Sequence, residues 1–206
     1  MNFFQDLPPE MSIEMQQLSR LMYFARENRK DVLKAYQADD EEALLARIRA
    51  GELDLLPAYD DYLSARLLGQ AQAAARARLA QVTTGQAQQI DEPLHLLLAE
   101  KVQAEFADAL DSAPVLLQNA LQLVLDNGVE MEIRYADPQH YSIVWQWGEP
   151  RCRIDTASGA SRLVREDGCV NVDTLTQSGA DPWLNLKSLL AAVIADPLLG
   201  ESSDAL

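Results

Sequence analysis

Apolar residues recur at spacings of three and four through the first eighty positions. Past position 129 they recur at every second residue, so a helical N-terminal half is followed by a strand-rich C-terminal half. From Ser12, a good N-cap, the residues Ile13, Met15, Leu18, Leu21, Met22 and Ala25 predict a helix reaching about Gln37. Asp39 and Asp40 open a short second helix through Ala43, Leu44, Leu45 and Ile48, and Gly51 closes it. Pro57 begins a long third helix to about Val82, with Tyr59, Leu63, Leu67, Ala71 and Ala74 along one side. The stretch from Thr83 to Gln89 carries no apolar side chain larger than alanine and reads as a hinge.

Beyond Pro93, Leu94, Leu97, Leu98, Val102, Phe106 and Leu110 trace an amphipathic helix. Ser112 and Pro114 are expected to open another, largely buried helix through Leu117, Leu121 and Val124, which Asp126, Asn127 and Gly128 stop. The period then changes to two: Met131, Ile133 and Tyr135 oppose Glu130, Glu132 and Arg134, and Tyr141, Ile143, Trp145 and Trp147 share the next strand's apolar face. On the following strand, Cys152 and Ile154 oppose Arg151, Arg153 and Asp155, and a further hairpin is marked by Asp167 and Gly168. The last helix starts at Asp181 and Pro182, carries Trp183, Leu186, Leu189, Leu190, Val193 and Ile194 as its apolar stripe, and ends at Asp196 and Pro197. The expected fold is α+β: a helical N-terminal half, then an antiparallel β-meander of four or five strands with flanking helices packed on one face. The expected divisions are a flexible arm at 1–11, a helical region at 12–82, a linker or hinge at 83–91, an α+β domain at 92–198 and a disordered acidic tail at 199–206.

Charge narrows the partners. The chain of 206 residues carries a formal charge of -15, which repels phosphate backbones and anionic lipid, so no nucleic acid and no membrane surface is expected as a partner. No secretory signal is expected at the start, and no run of apolar residues is long enough for a membrane span. The two cysteines, Cys152 and Cys169, make no disulfide framework, which makes the cytoplasm the expected compartment. If adjacent in the sheet they would be redox-sensitive, although buried strand cysteines ordinarily behave as small hydrophobes.

Candidate chemistry is sparse. Only two histidines occur, His95 and His140, at no ligand spacing; His140 is the better functional candidate because it adjoins a loop, and both are expected at the surface or its boundary. No zinc pattern, nucleophile elbow or phosphate-binding glycine loop is present, so no metal, cofactor or catalytic residue is assigned. The acidic runs Asp39 to Glu42 and Asp60-Asp61 fall at helix starts, where carboxylates meet the positive end of the helix dipole. The polar face of the meander is the constellation put forward for binding: Glu130, Glu132, Arg134, His140, Ser142, Gln146, Arg151 and Arg153. Its arginines are expected to receive an acidic or extended segment of a partner protein.

The function expected is therefore an acidic cytoplasmic protein-interaction module of adaptor, chaperone or inhibitor type. The alternative is an enzyme with a carboxylate and arginine site between the two halves, using Glu130 and Glu132 with Arg151 or Arg153 and His140. A homodimer through helix 57–82 is also expected, from its broad apolar surface. Replacing Leu63 and Leu67 by Glu should yield a monomer or unfold the N-terminal half, read by molar mass and helix content; an unchanged mass with the fold intact contradicts this.

Overall fold

The computed structural model of the chain describes residues 9–84, 93–165, 168–171 and 175–200. The remainder of the expected arm, hinge and tail (1–8, 85–91 and 201–206) lies outside them, as do Asp167 and Val172. Helix α1 runs Pro9–Ala35, α2 Glu41–Arg49 and α3 Leu55–Thr84. The first helix begins before Ser12, which is interior rather than a cap, so the end of the expected arm is helical; proline suits the first turn because its missing N–H has no partner there anyway. Asp40 caps α2 by accepting from the Ala43 N–H at 2.8 Å, and Gly51 follows with φ +73°. Leu56 is extended, so the continuous helical run of α3 begins at Pro57 as the sequence predicts.

α1 and α3 lie antiparallel along each other, with Glu14 bonded to Arg78 at one end and Tyr36 to Asp61 at the other. Arg29 holds Glu41 through two bonds of 2.6 and 2.5 Å, tying α1 to α2 and keeping the Glu41 carboxyl below the usual range. Leu44, Leu45, Ile48, Tyr59, Tyr62 and Leu63 form the core of this half. Leu63 is fully buried and Leu67 packs beside it within the same chain, so for a Glu pair there the outcome to expect is unfolding.

The sheet has seven strands in sequential order, all antiparallel: β1 Val115–Leu116, β2 Leu121–Val124, β3 Glu130–Asp137, β4 His140–Gln146, β5 Arg151–Asp155, β6 Arg162–Arg165 and β7 Gly168–Asn171. The meander is as expected and the strand count is higher. The buried helix expected over 112–124 is instead the hairpin β1–β2. Leucine-rich composition favours a helix there, but Leu121, Leu123 and Leu125 alternate with Gln122 and Val124, and pairing of β2 with β3 buries all three leucines on one side. β6 lies between β5 and β7, so Cys152 and Cys169 occupy strands that are not neighbours.

Helices α4 (Leu94–Phe106) and α5 (Pro182–Ala195) cover one face of the sheet. Leu98 and Val102, with Trp183, Leu186, Leu189, Leu190 and Val193, pack there on Met131, Ile133, Tyr141, Ile143, Trp145 and Ile154. Asp181 caps α5 by accepting from Trp183 and Leu184. Leu199, assigned to the tail, packs against this core. The opposite face of the sheet lies under α3, giving three layers.

His95, expected near the surface, is buried in α4, and its Nε2 accepts the Tyr135 N–H at 2.9 Å. β2 pairs with β3 only as far as Ile133, so this imidazole takes over where the ladder stops. Burial, with a smaller contribution from the Arg134 charge, pushes its pKa down to about 4. The unfolded chain takes up a proton near pH 6.5 and the folded chain does not, so stability falls as pH drops from 6.5 toward 4, by up to about 3 kcal/mol. Between pH 7 and 4.5 the urea midpoint of the wild type should fall further than that of His95→Gln, whose amide oxygen still accepts but does not titrate. Equal falls would contradict the role.

Candidate functional site

All eight residues put forward on the meander share one face, as alternation requires, and the strand register orders them in rows. Glu130 stands beside Gln146 and Gln146 beside Arg151; Glu132 beside Val144 and Val144 beside Arg153; Arg134 beside Ser142 and Ser142 beside Asp155. The rows are not equally exposed, because α3 crosses the last of them and reaches the middle one at Arg153. Arg134, Ser142 and Arg153 lie under its first turns, while Glu130, Gln146 and Arg151 remain open.

Asp60, in the first turn of α3, is the centre of the covered part. Both its oxygens accept from Arg153 Nη1 at 2.9 Å, and Oδ1 also accepts from the Ser142 hydroxyl at 2.9 Å. Arg153 Nε donates to Asp155 at 2.8 Å, and the other Asp155 oxygen accepts from Arg162 at 3.0 Å and from the Ala157 N–H at 3.1 Å. Asp155 is 0% exposed and Arg153 5%. Arg134 pairs with Glu132 on its own strand and stands 3.9 Å from Asp60. The seam continues with Tyr59 and Thr156 sharing a hydrogen bond of 3.0 Å, Arg66 on Asp137 at 2.6 Å and Gln70 on the Ala136 carbonyl at 2.7 Å. Burial raises the Tyr59 hydroxyl and pushes Tyr62 up to about 12, so both act as neutral phenols.

His140 is on the same face but tied to Asp137 through Nδ1 at 2.9 Å, with its ring against Tyr62. It joins the Arg66 and Asp137 group, apart from the Asp60 network. Sequence reasoning missed Asp60 as a site residue, because an aspartate in a first turn is adequately explained by the helix dipole. Asp155 was placed on the right side of β5 by alternation alone, yet nothing in the sequence marks it as the buried centre of two arginines.

Where α3 ends its cover, a cleft of about 450 Å³ opens, lined by Leu56, Pro57, Asp60, Val144, Arg151, Arg153 and Val164. A shallower trough of about 280 Å³ lies over Gln122, Glu130, Glu132, Val144, Gln146 and Arg151. The two share Val144 and Arg151, so they form one continuous shelf on the open rows. Among the described residues no group of three or more His, Cys, Asp or Glu side chains is placed to hold a metal ion, and no helix is long and apolar enough to cross a membrane.

Fold and site together define an α+β protein whose meander is clamped between two helical layers, one face sealed by apolar packing and the other by ion pairs beside a small apolar patch of Tyr59, Tyr62, Ala136 and Ala157. Comparison with protein families, curated proteins and solved structures finds no match for this chain.

Removing Asp155 leaves two arginines facing a buried void. Asp155→Ala should lower unfolding stability by about 3 to 5 kcal/mol, whereas Lys187→Ala, which breaks an exposed pair with Glu105, should cost under about 1 kcal/mol. Urea denaturation measures both, and similar small losses would show that the network does not hold the halves together.

Proposed function

We propose that the chain is an acidic protein-interaction module of the cytoplasm, of adaptor, chaperone or inhibitor type, and that it holds a basic partner protein by an amphipathic helix laid on the outer face of α1. One observation carries this reading. Ile13, Tyr23 and Phe24 are 56%, 56% and 55% exposed, with Leu21 at 40%, on a helix whose opposite side packs on α3. Large apolar side chains grouped on one exposed helix face mark contact surfaces rather than small-substrate sites.

The charge distribution supports the same choice of partner. On α1 the basic residues Arg20, Arg26, Arg29, Lys30 and Lys34 nearly balance Glu10, Glu14, Glu27 and Asp31, so the negative field of a chain carrying -15 comes from elsewhere. That field attracts a basic protein at long range, and the exposed apolar side chains of α1 supply the anchor once it arrives. The open rows of the sheet, with Glu130, Gln146 and Arg151, are a second surface proposed for an extended segment of the same partner. The enzyme alternative draws less support, because His140 is engaged by Asp137 and Glu132 by Arg134.

Tyr23 and Phe24 are exposed, so the Tyr23→Glu, Phe24→Glu pair should leave the fold intact. A basic protein retained in stoichiometric amount by the wild type from native extract should bind the variant roughly thirtyfold or more weakly, as expected on losing aromatic anchors at about 2 kcal/mol. Unchanged retention overturns the assignment of this face. A halved molar mass of the variant alone would instead make the occupant a second copy of the chain.

A further inference from the structure

The ion-pair network leaves a donor over. Arg153 uses Nε on Asp155 and Nη1 on Asp60, while its Nη2 is buried without a hydrogen-bond partner. Such atoms are rare in folded proteins, because losing water without gaining a partner costs free energy. Arg134 Nε and the Tyr135 hydroxyl are in the same position, but neither residue lines the cleft beside Pro57, whereas Arg153 is one of its walls.

We propose that this cleft binds a carboxylate bearing a small branched aliphatic group, one oxygen taken by the exposed Arg151 guanidinium and the other by Arg153 Nη2, which is covered in the free protein and opens to the cleft on binding, with the aliphatic part lying on Leu56, Pro57, Val144 and Val164. A volume of about 450 Å³ accommodates such a molecule. Two of the lining side chains are cations and one, Asp60, is an anion already engaged by Arg153 Nη1 and Ser142. With Asp155 and Arg162 counted, three guanidinium groups stand against two carboxylates, so the one cation at the cleft with no ion pair among the described residues is Arg151. Asp155 behind Arg153 is shared with Arg162, and Glu132 in the adjoining trough is paired with Arg134, so neither is left to cancel the charge of Arg151. Guanidinium groups suit a planar carboxylate, and the four apolar walls suit a ligand that is charged at one end only.

Two sources supply that chemistry: a free branched-chain acid, or the C-terminal residue of an extended protein segment. The site does not depend on the α1 face, so the Tyr23→Glu, Phe24→Glu pair should bind as the wild type does, and the two proposals can fail separately.

The test is a titration of the ¹⁵N-labelled full-length protein with isovalerate and with its uncharged counterpart isovaleramide at constant ionic strength, read in proton–nitrogen correlation spectra. Isovalerate should move the Arg153 Nε–H signal and the backbone amides of Asp60, Val144 and Val164 saturably, and isovaleramide should not. Arg151→Gln should weaken binding by about tenfold or more, and Val164→Glu should abolish it; neither side chain belongs to the buried network, so both variants should fold. Equal, non-saturating drifts with the two probes, or unchanged affinity in Arg151→Gln, overturn the proposal. An acetylated Ala-Ala-Val peptide compared with its C-terminal amide distinguishes the sources. Binding at least tenfold tighter than isovalerate, lost in the amide, assigns a chain terminus, and binding no tighter assigns a small acid.

Discussion

The contact of Asp60 with Arg153 is the constraint on which the rest of this protein depends. It is the point where a carboxylate on the first turn of α3 meets a guanidinium on the middle of the sheet, and both are largely withdrawn from water. Neither charge is tolerable there alone. Asp155 and Arg162 extend the chain of alternating charges across β5 and β6, and Ser142 donates a further hydrogen bond to Asp60 Oδ1. The network therefore sets the position of α3 on the sheet more narrowly than apolar contact would, because carboxylate and guanidinium must meet at hydrogen-bonding distance and angle.

The two faces of the sheet work by different physics. Toward α4 and α5 the meander presents Ile, Trp, Tyr and Met, and adhesion follows from removing apolar area from water, with little demand on geometry. Toward α3 it presents arginines, carboxylates and a serine, and adhesion requires each group to find its partner. The first kind of packing tolerates small shifts, and the second fixes position. That division also accounts for the cleft: apolar layers close their gaps, whereas a helix positioned by ion pairs leaves space wherever its path departs from the sheet, here around Leu56 and Pro57.

Much of the fold was legible in the residues. α2, the helical run from Pro57, α4 and α5 announced themselves by caps and by apolar stripes at helical spacing, and β3, β4 and β5 by strict alternation. The hairpin β1–β2 was not legible, because a short leucine-rich run satisfies a helix and a buried strand equally well and only pairing with β3 decides between them. His95 was misjudged for a similar reason: a lone histidine on an amphipathic helix gives no sign that a strand edge across the core needs an acceptor.

By itself the sequence determined which side of each strand is polar, and so brought Glu130, Glu132, Arg134, His140, Ser142, Gln146, Arg151 and Arg153 onto one face. That follows from backbone geometry, since successive side chains of a strand point to opposite sides whatever lies around them. Only the tertiary structure decided which of these residues are covered, which partner each has, and that Asp60, ninety-three positions before Arg153, stands among them. Those outcomes depend on where a helix from the other half comes to rest, and a pairing between residues so distant along the chain leaves no local pattern to read.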